Sequence, residues 1–99
     1  MSVYVGELFP TPGDTKCWPY REAAHLYADS DEELLAFAKR IGLKKRWAQK
    51  LGTPKAHFDV TRRKRTEAIA VGAIELPRGD ESALILARIM AETETGGSQ

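Results

Sequence analysis

The stretch "AHLYADSDEELLAFAKRIG", residues 24–42, changes its apolar period within a few positions. Over 24–29, His25, Tyr27 and Asp29 alternate with Ala24, Leu26 and Ala28, the two-residue period of a half-buried strand. From Ser30 the period becomes helical. Ser30 and Glu33 form an S-x-x-E capping box, and acids fill the first turn, where the helix dipole favours them. Leu34, Phe37, Ala38 and Ile41 then line one face at i, i+3, i+4 and i+7. Lys39 and Arg40 suit the carboxyl end, and Gly42 suits the residue just beyond it. The spacing predicts a helix over 31–41 that follows directly from a strand. A strand feeding a helix is the unit of an α/β fold.

The flanks extend that pattern. "VYV" (3–5) reads as a first strand, and "FPTPGDTKCWPY" (9–20), with three prolines and a glycine, reads as a loop. Cys17, Trp18 and Tyr20 make that loop apolar enough to pack onto the body. "LKKRWAQ" (43–49) reads as a basic strand anchored by Leu43 and Trp47. In "HFDV" (57–60), Phe58 and Val60 face the core, while His57 and Asp59 share the other face with Thr61. Thr61 caps a second helix over 62–71 that ends at Gly72, and its apolar residues come late, so its first turn lies in the open. "AIEL" (73–76) is a last strand, and Asp80 caps a third helix over 81–93. The expected architecture is α/β: one small domain with a mixed, partly parallel sheet of about four strands packed with three helices. Residues 1–78 form its core, residues 79–94 a C-terminal helix packing on that core, and residues 95–99 a flexible tail. "ADS" and "DVT" are both strand-to-helix junctions, so they are expected at the same edge of the sheet, where α/β proteins bind ligands.

Ninety-nine residues, 42% hydrophobic and 29% charged, describe one ordinary globular domain. The single cysteine excludes an internal disulfide, and no apolar run nears the roughly 20 residues of a membrane helix. "MSVYVGELFP" lacks the basic start and long apolar run of a signal peptide. A cytoplasmic protein is expected. The net charge of +1 hides a strong segregation. Residues 1–38 carry two basic residues against seven acids, and residues 66–99 carry two against six. Residues 39–65 between them carry eleven Lys or Arg and one acid, Asp59. A segment at +10 has the composition of a surface that meets phosphate.

"HLYADSDEELLAFAKRIGLKKRW", followed by "HFDVTRRKRTEAIAVGAIEL", resembles a family of small bacterial and phage proteins classed as domain of unknown function 4031. Trp18, His25, Asp29, Trp47, His57, Asp59, Thr61, Lys64, Arg65, Gly72 and Ala73 carry the likeness, which runs over about residues 3–76. The resemblance implies a shared fold and a shared site. It brings no activity with it.

Three groups of residues are candidates for function. Arg62, Arg63, Lys64 and Arg65 stand at the end of a helix whose dipole repels cations, an arrangement that a bound anion would reverse in sign. Lys64 and Arg65 are the candidate phosphate contacts, with Thr61 adding its hydroxyl or backbone. Their alternative is a solvated basic turn paired with Glu67 or the acidic first helix. His25, Asp29, His57 and Asp59 form the second group, on the non-core faces of their strands. They are candidate ligands of a divalent metal or, without metal, a general base and its partner, with His57, Asp59 and His25 the candidate catalytic groups. Their alternative is turn capping and cross-strand hydrogen bonding. Trp18 is the third, an aromatic placed to stack on a base, whereas Trp47 is expected in the core. The apolar third helix (Ala83, Leu84, Ile85, Leu86, Ile89, Met90) covers the sheet or offers a homodimer surface.

These groups support three functions. The first is a module that binds a phosphate-bearing ligand, a nucleotide or nucleic acid, through the basic helix start beside the His/Asp cluster. The second is a metal-dependent phosphodiesterase or nuclease using that cluster. The third is a protein-interaction module with an acidic partner.

Overall fold

The structure, a computed structural model, describes residues 2–13, 18–77 and 79–97, with side chains as far as Ala91. Cys17, Ser98 and Gln99 lie outside the described residues, so the packing expected of Cys17 and the end of the expected tail are not addressed. The strands are β1 (Val3–Val5), β2 (Phe9–Pro10), β3 (Glu22–Ala28), β4 (Phe58–Val60) and β5 (Ile74–Glu75). The helices are α1 (Asp31–Arg40), α2 (Arg62–Ala70) and α3 (Asp80–Gly97). α3 therefore runs on past residue 94, where the expected helix ended.

β3 is the centre of a mixed sheet. β1 and β4 pair antiparallel with it on opposite edges, because Leu26 faces both Val5 and Phe58. β2 pairs with the start of β3, and β5 adds to β1 in parallel. The sheet is mixed and partly parallel as expected, with five strands, one of which, Phe9–Pro10, lies in the expected loop. Residues 43–49 are not a strand. Lys45–Trp47 forms one 3-10 turn, and only Gln49 bridges to His57. Three consecutive cations give that run no alternating apolar face. Leu43 is buried, but Trp47 is 47% exposed, which corrects its expected place in the core.

The strand alternation holds as read. Ala24, Leu26 and Ala28 of β3 join Val5, Phe58 and Val60 in the core beneath α1 and α2. α1 adds Leu34, Phe37 and Ala38. Its start is capped by Ser30, whose Oγ accepts from Glu33 N at 3.2 Å. Gly42 closes its end with φ of +82°, a conformation cheap only for glycine, and lets Leu43 N reach Ala38 O at 2.8 Å.

The direction of β4 corrects one expectation. It runs antiparallel to β3, so the β3–α1 and β4–α2 junctions lie at opposite ends of the sheet. "ADS" and "DVT" do not share an edge. The same pairing sets His25 directly across from Asp59.

Candidate metal centre

The polar face of the sheet assembles three of the four candidate ligands. His25 Nδ1 lies 2.8 Å from Asp59 Oδ1, and His57 Nε2 lies 3.6 Å from the same oxygen. One ligand atom from each of the three side chains falls within 4.8 Å of the other two. Donors about 2.1 Å from a shared ion stand roughly 3.0–3.5 Å apart in octahedral or tetrahedral geometry. The two His–Asp spacings, 2.8 and 3.6 Å, lie on either side of that edge, while the three atoms together span up to 4.8 Å.

The atoms turned away from this point are held as metal ligands require. His57 Nδ1 is 2.7 Å from Lys55 O. A carbonyl only accepts, so Nδ1 carries the proton in the neutral ring and Nε2 keeps its lone pair for the centre. Gln49 Nε2 donates to Asp59 Oδ2 at 2.6 Å, which leaves Oδ1 free of that bond. Such outer partners fix ring tautomer and carboxylate orientation at metal sites. Without a metal, His25 Nδ1–H donates to Asp59 instead. That hydrogen bond holds the Asp59 carboxyl below its ordinary range, against the opposing effect of burial. His25 and Asp59 side chains are each 29% exposed and His57 is 11% exposed, so the centre is reachable from one side.

Aromatic rings brace the imidazoles. Phe9 sits 4.8 Å from His25 between centroids, and the two imidazoles meet edge-on at 4.8 Å. Tyr27 lies 5.9 Å from His25 and 5.7 Å from His57. Burial first, and then the Glu81 and Asp59 carboxylates, push its phenol well above the ordinary value.

The fourth candidate ligand, Asp29, is elsewhere. It lies four residues beyond His25, about 13 Å along an extended strand. There it accepts from Ser2 N at 2.7 Å and from the Tyr4 hydroxyl at 3.0 Å, tying the amino-terminal end to β3.

The candidate phosphate contacts are also separate from the centre. Thr61 caps α2 by accepting from Lys64 N at 3.2 Å. Lys64 Nζ donates to Ile41 O, the last carbonyl of the α1 turn, at 2.5 Å and pairs with Glu67 at 3.1 Å. A cation there suits the carboxyl end of α1. Arg65 Nε donates to Gly6 O at 2.9 Å, and its NH2 pairs with Glu75 at 3.2 Å. Arg62 grips Glu22 through two bonds of 2.6 and 2.8 Å, and Arg63 approaches Glu67 at 3.8 Å. Beside this helix start is an open concavity of roughly 290 Å³, lined by Tyr20, Arg21, Glu22, Thr61, Arg62 and Arg63. Trp18 is half-buried, with Nε1 donating to Glu22 O at 3.2 Å and its ring edge-on to Tyr20.

A different part of the basic band borders the centre. Lys44, Lys45, Arg46, Lys50 and Lys55 are exposed on the loop that supplies Gln49 and the Lys55 carbonyl. Among the described residues none of the five has an ion pair; Lys44 Nζ stands 5.7 Å over the Trp47 ring. Gln49 and the Lys55 carbonyl are the members of the site that sequence reading passed over. Gln49 carried no signal, because its reach to Asp59 depends on a turn rather than a strand.

No curated protein and no solved structure matches the chain. Residues 13–88 match the model of one family, so the likeness starts later than residue 3 and runs past residue 76 into α3. The chain belongs to that family, described as Protein of unknown function (DUF4031).

Proposed function

We propose that the protein is a divalent-metal-dependent enzyme that cleaves a phosphoester in a nucleotide or nucleic acid. The observation that carries this reading is the convergence of His25, His57 and Asp59, with Gln49 and the Lys55 carbonyl holding the two ligand groups from behind. A set of two imidazoles and one carboxylate suits zinc, manganese, iron or cobalt and leaves positions open for water and substrate. Bound there, a metal supplies an activated water and neutralises charge on the phosphoryl oxygens. The loop that supplies Gln49 and the Lys55 carbonyl also carries five exposed cations with no ion pair among the described residues, and a polyanionic substrate is what such a loop attracts.

Metal analysis of the purified chain, and turnover of model phosphodiesters with Mn²⁺ or Mg²⁺, test the reading. One metal per chain and chelator-sensitive turnover are expected. Unchanged turnover in a His57→Ala, Asp59→Ala double variant rules out this site.

A second reading rests on the concavity at the start of α2. There a phosphate-bearing ligand is held without metal by Arg21, Arg62, Arg63 and the free N–H groups of the helix. It competes with Glu22 for Arg62. Nucleotide binding that survives chelation but is lost in Arg62→Gln, Arg63→Gln favours this reading over the first.

A further inference from the structure

The loop before β4 carries an aromatic side chain outside the core. Leu43 is buried and Ala48 packs partly against the core, whereas Lys44, Lys45, Arg46 and Trp47 between them are all exposed. A single exposed ring needs no explanation by itself. Trp47, 47% exposed, is set among cations on a fixed backbone. Trp47 N donates to Lys44 O at 2.9 Å and Ala48 N to Lys45 O at 3.0 Å, closing the 3-10 turn that presents the ring. Gln49 and His57 then exchange both backbone hydrogen bonds, at 2.8 and 3.0 Å. The far side of the loop is tied down as well. Gly52 N donates to Asp31 Oδ2 at 2.6 Å, and Arg88 holds Asp31 in turn at 2.8 Å. Such a loop loses little freedom when a ligand settles on it.

Its charge is one-sided. From residue 40 to residue 58 there is no acid, and Lys44, Lys45, Arg46, Lys50 and Lys55 are exposed with no ion pair among the described residues. Lys44 Nζ stands 5.7 Å over the Trp47 ring, inside the roughly 6 Å of a cation–π contact. Proteins hold unpaired nucleic acid with two parts, a charged track for the phosphates and a ring for a base. The loop has both. A duplex keeps its base faces inside the stack and offers the ring nothing, and an acidic peptide engages the cations alone.

A short piece of chain joins this ring to the His/Asp centre. Ala48 is extended, with φ of −66° and ψ of 141°, so the Cα atoms of Trp47 and Gln49 lie at most about 7 Å apart. Gln49 Nε2 in turn donates to Asp59 Oδ2 at 2.6 Å.

We propose that loop 44–55 is a single-strand platform, in which Trp47 stacks on one base and Lys44, Lys45, Arg46 and Lys50 take the phosphates on either side. The substrate of the centre is then an unpaired strand rather than a duplex. The inference names the substrate class of the phosphoester reading above and rests on that reading for the chemistry, while binding to the platform needs no metal.

Fluorescence anisotropy at low salt with chelator present, using labelled oligothymidylate and oligouridylate, provides the test, and the tighter of the two identifies the sugar. Trp47→Ala is expected to weaken binding roughly tenfold or more, and Trp47→Phe by less. The dependence on salt is expected to stay the same in Trp47→Ala and to flatten in the double variant Lys45→Gln, Arg46→Gln. An abasic strand of the same length keeps the phosphates and lacks the bases, so it is expected to bind the wild type and Trp47→Ala alike. No strand binding by the wild type, an unchanged affinity in Trp47→Ala, or duplex or polyglutamate bound as tightly as oligothymidylate overturns the inference. Metal-stimulated turnover by a wild type whose strand affinity does not depend on Trp47 overturns the platform alone. Trp47-dependent strand binding without metal-stimulated turnover supports the platform and overturns the phosphoester reading.

Discussion

Two stretches of one basic band behave in opposite ways. Arg62 to Arg65, at the start of α2, are all engaged: with Glu22, Glu67, the Ile41 carbonyl, the Gly6 carbonyl and Glu75. Lys44 to Lys55, on the loop before β4 that supplies Gln49 and the Lys55 carbonyl to the His/Asp centre, have no ion pair among the described residues. Both score alike in a count of charge. Their difference lies in what stands opposite them. α2 packs against β1, β3 and β4, so its first-turn side chains meet carbonyls and carboxylates at strand and helix ends. The loop projects outward and meets water. A cation opposite a protein acceptor serves the fold, and one opposite solvent is available to a ligand.

The largest test of this contrast is to neutralise the free half. Lys45, Arg46, Lys50 and Lys55 changed together to Gln should weaken binding of a single-stranded oligonucleotide by two orders of magnitude or more at low salt. The slope of log affinity against log salt should flatten by up to about 0.7 for each lost phosphate contact. Unfolding free energy should move by less than about 0.5 kcal/mol per site. Unchanged affinity by fluorescence anisotropy would break the comparison.

Arg65→Met comes next and should act on stability. Its side chain is 19% exposed, and the change removes charged hydrogen bonds to Gly6 O and Glu75. A loss of about 1.5–3 kcal/mol in urea unfolding is expected, with oligonucleotide affinity unchanged. A large affinity loss without destabilisation would move Arg65 into the free half.

The Arg62–Glu22 pair gives a smaller effect with a defined sign. Arg62 holds the Glu22 carboxyl below its ordinary value of 4.5. A carboxyl lowered in the folded state contributes stability above that ordinary value, and the contribution disappears as pH falls through the lowered one. Arg62→Gln should therefore remove part of the pH dependence of Tm below about pH 4.5 and leave the neutral range nearly unaltered. Both groups are well exposed, so the shift should be small. The smallest effect belongs to Arg63, 89% exposed and 3.8 Å from Glu67. Arg63→Gln should change stability by no more than about 0.5 kcal/mol, and a greater loss would point to a contact the pair does not explain.

The site was partly legible for a simple reason. Alternation in "AHLYA" and "HFDV" places His25, His57 and Asp59 on a polar face without knowledge of the partner strand. The same alternation includes Asp29, which nevertheless lies past the end of β3, against Ser2 and Tyr4.

From the sequence alone came the capped α1, the apolar and polar faces of β3 and β4, and the segregation of charge to +10 over residues 39–65. All of these rest on neighbours within one or two turns, or on residues two apart, so local order is enough to read them. The tertiary structure decided that β4 runs antiparallel to β3 in the register His25↔Asp59. It also decided that the Ile41 and Gly6 carbonyls receive Lys64 and Arg65. Those partners are 23 to 59 positions apart in the chain. Only folding chooses among the many acceptors within reach of a long cationic side chain, because the choice depends on which backbone ends the packed core leaves beside it.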